Sequence, residues 1–302
     1  MSQKTLLVVG GPTASGKTAA AIALAQHFGT EIVSADARQF YRQMSIGTAK
    51  PSPEELAAVP HHLVGHLDVW QSYHVGAFEQ DALAILSRIF QTKDVAVAVG
   101  GSGLYLRTLC YGIDEIPAVP AQIRSHVEAV FRAKGLPFLL AELQQYDAVY
   151  YQQVDKANPA RVKRAVEVIY ATGKPYSAFR KNQLVARPFR SVWIGLSLPR
   201  EELYCRINRR VELMMQQGLE QEARSLLPYR HYNALQTVGY TELFDYFDGK
   251  ITLSQAVALI QQHTRNYAKR QLTWFRRENM QWFAPTDWRG IIDYAEQHCC
   301  FK

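Results

Sequence analysis

GGPTASGKTAAAIALAQHFG, residues 10–29, is the stretch of sequence from which the fold can be predicted. Its first part, Gly11–Thr18, matches the pattern G-x-x-x-x-G-K-T in full. The apolar run Thr5–Val9 before it is typical of a buried parallel strand, and the Ala-rich run Ala19–Phe28 after it is typical of a helix. A strand, a Gly-rich loop and a helix in this order predict a polyphosphate site. The pattern does not tell whether a phosphoryl group is transferred.

Each residue type in this loop has a predicted role at the phosphate. The glycines let backbone N–H groups surround an anion, and the helix N-terminus adds partial positive charge. We expect Lys17 to reach the outer phosphate oxygens and the Thr18 hydroxyl to ligate Mg²⁺ as the cofactor. A Gly-rich turn could match the pattern by chance, but the flanking strand and helix argue against this alternative.

Length and composition limit the class of protein. The chain has 302 residues, enough for about two domains, and 48% of them are apolar. We expect no leader peptide and no membrane span, since a strand follows the first residues at once and no apolar run is long enough. The four cysteines lack metal-ligand spacing, so we expect reduced thiols in the cytoplasm. By default we expect a monomer.

The positive charge is concentrated in the middle of the sequence. The formal net charge is +7, and residues 120–190 hold twelve Lys and Arg against five Asp and Glu, a difference of +7. The rest of the chain is therefore neutral. A basic segment of this kind favours contact with nucleic-acid phosphates, although an ordinary solvated helical surface is the alternative.

Strands and helices alternate in the first part of the chain, which predicts an α/β fold: a P-loop NTPase-like parallel sheet flanked by helices. Further strands are predicted at Glu31–Ala35, Asp94–Val99 and Ser191–Leu196. The intervening segment is helical, with breaks at 135–137 and 158–159. We therefore predict a first part of the core at 1–115, a basic helical insertion suited to nucleic-acid contact at 116–190, and a mostly helical second part of the core at 191–302.

Chemically notable residues follow the predicted strands, so they should meet at one edge of the sheet. Asp36 could be a carboxylate near magnesium, a general base, or the N-cap of a short helix. Gly100–Gly103 stands where an ATPase strand usually ends in aspartate, which weakens a simple ATPase interpretation. Ser102 offers a hydroxyl there, or only stabilises a tight turn.

Two basic clusters are candidates for anion contacts. Arg206, Arg209 and Arg210 follow the last strand, and one of them could meet charge on a leaving phosphate, although surface arginines are the ordinary alternative. Arg161–Arg164 opens a helix with three cations in one turn, which favours phosphate contact over a solvated face.

Several segments carry a specific resemblance. They are Gly11–Thr18, Ser34–Tyr41, Ile46–Pro51, Gly100–Leu106, Asn158–Glu167, Thr172–Pro175, Gly239–Tyr240 and Tyr267–Arg276. Together they resemble the tRNA dimethylallyltransferases, also called tRNA isopentenyltransferases, up to about Phe283. The family usually has Thr at the position of Ser102, so a hydroxyl is kept and a methyl group is lost.

The resemblance implies transfer of the dimethylallyl group of dimethylallyl diphosphate to N6 of adenosine 37 in tRNA, with release of diphosphate. It implies a general base at Asp36 and catalytic contributions from Lys17, Ser102 and Arg210. The residues expected to hold the diphosphate are Gly11, Pro12, Thr13, Ala14, Ser15, Gly16, Lys17 and Thr18. Those expected to contact tRNA are Asp36, Ala37, Arg38, Gln39, Ser102, Arg124, Ala160, Arg161, Val162, Lys163 and Arg164.

Three other functions remain as alternatives. An ATP-dependent small-molecule kinase shares the loop and fold but leaves the basic segment unexplained. An adenylate isopentenyltransferase, which acts on a free nucleotide, would not need an insertion of roughly 70 residues. A non-catalytic RNA-binding protein would leave Lys17, Thr18 and Asp36 without a role.

Overall fold

Two compact units make up the chain. The computed structural model describes residues 3–181 and 183–299. The larger unit combines Met1–Tyr111 with Ala186–Lys302, and the smaller is the continuous segment Gly112–Val185. The smaller unit begins and ends a few residues before the boundaries expected from the sequence.

A parallel sheet forms the centre of the larger unit. Its strands within the described residues are β1 (Thr5–Gly10), β2 (Ile32–Ser34), β3 (His61–His62), β4 (Val95–Gly100), β5 (Arg190–Leu196) and β6 (Gln281–Phe283), in the order β3-β2-β4-β1-β5-β6. Each neighbouring pair is parallel, as predicted. The prediction that the strand after the insertion rejoins the first sheet is confirmed, because β5 pairs with β1 from Thr5↔Arg190 to Gly10↔Gly195.

Helices cover the sheet in the larger unit and build the smaller one. The larger unit contains α1 (Lys17–His27), α2 (Pro53–Ala58), α3 (Val75–Thr92), α4 (Gly103–Tyr111), α8 (Arg200–Gln216), α9 (Leu219–Leu226), α10 (Tyr240–Phe247), α11 (Leu253–Phe275) and α12 (Trp288–His298). The smaller unit contains α5 (Ala121–Tyr146), α6 (Ala148–Gln153) and α7 (Pro159–Thr172).

The central strand explains why the sheet needs helices on both faces. Leu6 and Val8 of β1 pack into one hydrophobic cluster, whereas Leu7 and Val9 pack into a second one. All four side chains are fully buried. Alternate residues of a strand point to opposite faces, so an unbroken apolar strand requires cover on both.

The smaller unit has a core of its own. Val127, Leu143 and Val162 are fully buried in it. α5 is interrupted at Gly135, whose φ of 74° is left-handed, which confirms the predicted break there. The buried Asp147 carboxylate accepts hydrogen bonds from Tyr150 N at 2.9 Å and from Ser177 N and Oγ at 2.7 Å. These bonds tie the start of α6 to the turn at Tyr176–Phe179.

Some elements escaped the sequence analysis. The Gly-rich segment after β4 predicted only a loop, yet α4 begins at Gly103. β6 and α12 follow the last matched segment; Ile291 and Ala295 of α12 are buried against the sheet. No helix of the described residues is long and apolar enough to cross a membrane. Cys110 and Cys205 are free thiols, and Cys300 lies outside the described residues.

A tight contact between α4 and α11 gives a test of this packing. A Cβ atom added at Gly103 would lie 2.0 Å from Cδ1 of Trp274. Gly103→Ala should therefore lower the free energy of unfolding by roughly 1–3 kcal/mol, measured by urea denaturation. The matched control is Gly76→Ala, where the nearest atom lies 3.4 Å away in the His74 ring. Equal stability of the two variants would contradict the close packing of α11 on α4.

Candidate active site

The ends of three strands open into one cavity of the larger unit. Its volume is about 1120 Å³. The cavity is lined by residues that follow β1, β2 and β4, together with parts of α8 and α11. The loops concerned are 13–19, 36–39 and 100–102, which are the three segments that the sequence placed at one edge of the sheet. The cations on its wall are Lys17, Arg38, Lys50, Arg210 and Arg270, against the acids Asp36 and Glu55.

The loop between β1 and α1 has the backbone shape that its glycines permit. Gly11 has φ 145° and Gly16 has φ 87°, and Ala14 is also left-handed at φ 64°. A Cβ atom at Gly11 would lie 2.5 Å from the Leu196 carbonyl oxygen, so no larger residue fits there. Of the eight residues expected at the diphosphate, Thr13, Ala14, Gly16, Lys17 and Thr18 line the cavity. Gly11, Pro12 and Ser15 are buried.

Lys17 is a partly buried cation on the wall of the cavity. Its ammonium group donates a hydrogen bond to the Pro12 carbonyl oxygen at 2.6 Å. Burial lowers the pKa of Lys17 from 10.5 to about 7; the Asp36 carboxylate partly counteracts this and the Arg210 guanidinium adds to it. An ammonium group shielded from water is stabilised by nearby negative charge, so the site is suited to a bound anion.

Arg210 is the arginine of its cluster that reaches the cavity. Its Nη1 atom donates to Thr13 Oγ1 at 3.4 Å. Burial lowers the pKa of Arg210, partly offset by Glu55. Arg206 instead pairs with Glu202 at 2.9 Å, and Arg209 is exposed. Two partly buried cations, from α1 and α8, therefore face the same loop.

Asp36 lies on the cavity wall directly after β2. Its Oδ1 atom accepts a hydrogen bond from Arg38 N at 3.0 Å. Residues 37–40 form a turn and not a helix, so the alternative of a helix N-cap is wrong. Asp36 is only partly buried, and its charge acts on Lys17 across the cavity. A carboxylate and an anion site thus share one cavity.

The next three residues are held by the protein itself. Ala37 N donates to Ser102 Oγ at 3.1 Å. The Arg38 guanidinium donates to the Asn233 carbonyl oxygen at 2.9 Å, and the Gln39 amide donates to the Ala49 carbonyl oxygen at 3.0 Å. Ser102 therefore bonds another loop and not its own turn, contrary to the simpler alternative from the sequence.

Tyr267 on α11 joins the Asp36 side of the cavity. Its hydroxyl contacts Ser102, and burial with the nearby Asp36 charge raises the pKa of Tyr267 to about 12. The phenol therefore stays neutral at physiological pH and can donate a hydrogen bond. Sequence analysis did not single this residue out, although it begins the last matched segment.

Gln271, also on α11, bridges the two Gly-rich loops. Its Oε1 atom accepts from Thr13 N at 2.8 Å, and its Nε2 atom donates to the Gly101 carbonyl oxygen at 2.9 Å. The side chain is buried. A Cβ atom at Gly101 would lie 2.3 Å from Nε2, so this glycine is required for the bridge. One side chain thereby sets the distance between the loops after β1 and β4.

Glu222 of α9 fixes the segment Ile46–Pro51. Its carboxylate accepts hydrogen bonds from the backbone N–H groups of Ser45 at 2.9 Å, Ile46 at 2.8 Å and Gly47 at 2.9 Å, and from the Tyr240 hydroxyl at 2.7 Å. Burial raises the pKa of Tyr240. No sequence motif marks Glu222, a single acidic residue in a helical segment, as the partner of these backbone groups.

The residues of the smaller unit that are expected to contact tRNA differ in whether they are exposed and whether an acidic side chain already pairs with them. Lys163 donates to Glu128 at 2.7 Å, and Arg164 lies 3.7 Å from Glu167. The Val162 side chain is fully buried, so only its backbone can contact a ligand. Arg124, Ala160 and Arg161 are exposed.

The charge of this unit is also smaller than the sequence segment suggested. Residues 112–185 contain ten Lys and Arg against seven Asp and Glu, a net charge of +3. Arg187, counted in the basic segment, belongs to the larger unit and pairs there with Glu79.

A P-loop at the carboxyl edge of a parallel sheet, with two partly buried cations and a carboxylate, defines an α/β protein whose cavity is suited to a polyphosphate. Comparisons with known proteins narrow this class. Residues 39–278 match the family described as IPP transferase, and residues 4–66 match isopentenyl transferase. The chain belongs to the IPP transferase family.

Similar proteins agree with this assignment. The chain is 47% identical to tRNA dimethylallyltransferase 1 of Phocaeicola vulgatus, over 96% of this chain and 97% of that protein. It resembles the crystal structure of the tRNA isopentenylpyrophosphate transferase of Bacillus halodurans, with a TM-score of 0.72, 35% identity and 98% and 97% of the two chains covered. It also resembles a eukaryotic dimethylallyltransferase acting on tRNA, with a TM-score of 0.80, 25% identity and 98% and 77% covered.

The Gln271 bridge gives a test of how the site is assembled. Gln271→Met keeps the length of the side chain but removes both hydrogen bonds, so the two loops should lose their alignment. We expect kcat for prenyl transfer to fall at least tenfold, roughly the effect of misplacing reacting groups. Gln271→Glu keeps an acceptor for Thr13 N and should be impaired less. Gln262→Met, on an exposed position of the same helix, is the control; equal kcat in all variants would contradict the bridge.

Proposed function

We propose that this protein transfers the dimethylallyl group of dimethylallyl diphosphate to N6 of adenosine 37 in tRNA and releases diphosphate. The observation that carries the proposal is the Asp36 carboxylate in the same cavity as the partly buried cations Lys17 and Arg210. Such a cavity offers a base for an acceptor and a site for an anionic leaving group. The names of the similar proteins support the dimethylallyl group and the tRNA acceptor.

The proposed reaction exchanges one bond for another. The bond between C1 of the dimethylallyl group and the diphosphate oxygen breaks, and a bond from N6 of adenine to C1 forms. The adenine amine is a poor nucleophile, so Asp36 accepts its proton. The Lys17 ammonium, the Arg210 guanidinium and the loop amides stabilise the charge on the departing diphosphate.

The acceptor base has to leave its stack to reach such a cavity. Ser102 and Tyr267 border the same side of the cavity as Asp36, and their hydroxyl groups are suited to hydrogen bonds with the edge of a base. Gly100 and Gly101 have no side chains, so the loop after β4 occupies little of the cavity there. These residues are therefore the proposed acceptor side.

The residues present fit a magnesium ion that arrives with the diphosphate. The described residues contain no group of three or more His, Cys, Asp or Glu that could hold a metal. Thr18 lines the cavity and supplies one hydroxyl ligand, which suits Mg²⁺ because this ion usually takes most other ligands from phosphates and water. When bound, the ion would neutralise charge on the leaving diphosphate.

Contact with the tRNA backbone is proposed for the exposed cations of the smaller unit. Arg124 and Arg161 are better candidates than Lys163, whose ammonium already has a carboxylate partner in Glu128. The cytoplasm is the proposed location, since free thiols such as Cys205 persist there. The monomeric state stays a prediction.

Incubation with labelled donor tests the proposal directly. The protein, Mg²⁺ and carbon-labelled dimethylallyl diphosphate are mixed with an unmodified tRNA that has adenosine 37, with AMP or with ATP. We expect label in the tRNA, located at residue 37 after digestion. Label in AMP or ATP alone would identify an enzyme of free nucleotides, and ATP hydrolysis without labelled product would identify a kinase-like activity.

Removal of the proposed base should affect chemistry more than binding. Asp36→Asn should lower kcat for tRNA prenylation by roughly 10²–10⁴-fold, because a general base contributes rate enhancements of this size. The Kd for tRNA should change little. The matched control is Asp293→Asn, on the exposed surface of α12. Wild-type turnover in Asp36→Asn would exclude this residue as the base.

The lowered pKa of Lys17 predicts a pH dependence of donor binding. Its pKa is about 7 in the unliganded protein, and a bound diphosphate raises it, so binding takes up a proton above that pH. Below about pH 7 Lys17 is already charged, so its titration should not change the affinity for dimethylallyl diphosphate. At higher pH this affinity should fall, by up to about tenfold per pH unit. Titration calorimetry with dimethylallyl diphosphate between about pH 7 and pH 9 measures this.

Lys17→Arg is the control for this pH dependence, because a guanidinium stays charged over the whole range. The variant should bind with an affinity that no longer falls with pH. The same slope in the variant and the wild type would show that another group titrates.

A further inference from the structure

A row of exposed aromatic side chains lies on the larger unit, outside the cavity. Trp70 contacts Tyr229 with ring centroids 5.6 Å apart, and Tyr229 contacts Tyr232 at 6.4 Å. His231 and Tyr232 have centroids 4.2 Å apart. Trp70 exposes 47% of its surface and Tyr229 exposes 37%. We call Trp70, Tyr229, His231 and Tyr232 the aromatic row.

The segments that carry the aromatic row are hydrogen-bonded to the cavity wall or to residues next to it. Asn233, next to Tyr232, accepts a hydrogen bond from Arg38 of the wall at 2.9 Å, and residues 236–239 line the cavity. The loop that carries Trp70 is bonded to the turn after Asp36, because Leu67 N donates to the Phe40 carbonyl oxygen at 3.0 Å. The row is therefore tied at both ends to segments near the acceptor side.

The charges near the aromatic row are already paired. Arg42 bonds Asp68 at 2.7 Å, and Arg230 holds both oxygens of Asp248 at 2.7 and 2.8 Å. Such a surface attracts neutral, flat groups more than phosphates. Unpaired bases in RNA stack on exposed aromatic rings in this way.

We propose that the aromatic row stacks against unpaired bases of the RNA next to the reacting adenosine. The inference rests on the proposed function, since it assumes an RNA acceptor in the cavity. A flipped adenosine leaves its neighbours without stacking partners, and a row that starts at the cavity rim supplies replacements. The aromatic row thereby holds the RNA strand that contains the reacting adenosine.

Substitutions on the aromatic row separate this role from catalysis. Trp70→Ala and Tyr229→Ala should each raise the Kd for unmodified tRNA at least about fivefold, the lower limit for loss of one stacked base. The KM for dimethylallyl diphosphate and kcat at saturating tRNA should stay unchanged. Trp70→Phe should recover most of the affinity because it keeps a ring. Trp288→Ala removes another exposed Trp of the same unit, with 40% of its surface accessible, and serves as the control.

A fluorescent base reports the contact itself. An anticodon stem-loop with 2-aminopurine beside the reacting adenosine should be quenched by the wild type and by Trp288→Ala, and less by Trp70→Ala. Unchanged Kd and quenching in both Ala variants would overturn the proposal and leave the row as a surface for a protein partner. Because the wild type is assayed first for label transfer to tRNA, failure of the proposed function is recognised separately.

Discussion

A partly buried positive charge near a carboxylate is the feature on which the rest of the site depends. The Lys17 ammonium donates a hydrogen bond to the Pro12 carbonyl, and burial lowers its pKa to about 7. Shielding a cation from water in this way is unfavourable unless an anion accompanies it. Arg210 of α8 brings a second partly buried cation to the same loop. The cavity is therefore suited to an anion, which in the proposed reaction is the diphosphate, and Asp36 on its wall is the proposed base.

The loops that carry these groups are held in place from outside the sheet. Parallel strands bring their carboxyl ends to one edge but do not set the distances between the loops that follow. Gln271 fixes the loop after β1 relative to the loop after β4 through two hydrogen bonds, and Glu222 fixes Ile46–Pro51 through three backbone N–H groups. The glycines at 11, 101 and 103 are needed because other atoms occupy the space of their side chains. Donor and acceptor positions thus depend on α9 and α11 as much as on the sheet.

Local patterns were sufficient for four strands of the sheet and for much of the site, whereas the short strands β3 and β6 gave no signal. β1, β4 and β5 are apolar runs bounded by clear signals, and the loop Gly11–Thr18 matches a phosphate-binding pattern between the strand and the helix that this pattern requires. Gln271 and Glu222 could not be assigned, because their partners lie 258 and about 175 residues away. Counting charges along the sequence also misled, since Arg187 belongs to the larger unit and pairs with Glu79. Which cations remain available for a ligand depends on the ion pairs in the folded protein, and not on the composition of a sequence segment.

The central claim is that this P-loop holds a leaving group and not a group to be transferred. Dimethylallyl diphosphate with ¹⁸O in the oxygen between C1 and phosphorus distinguishes these two reactions in a single turnover with tRNA. Cleavage of the carbon–oxygen bond leaves all of the ¹⁸O in the released diphosphate, as the site geometry predicts. Recovery of the ¹⁸O in dimethylallyl alcohol, with the diphosphoryl group on the acceptor or released into water as diphosphate, would show cleavage at phosphorus and contradict the assignment.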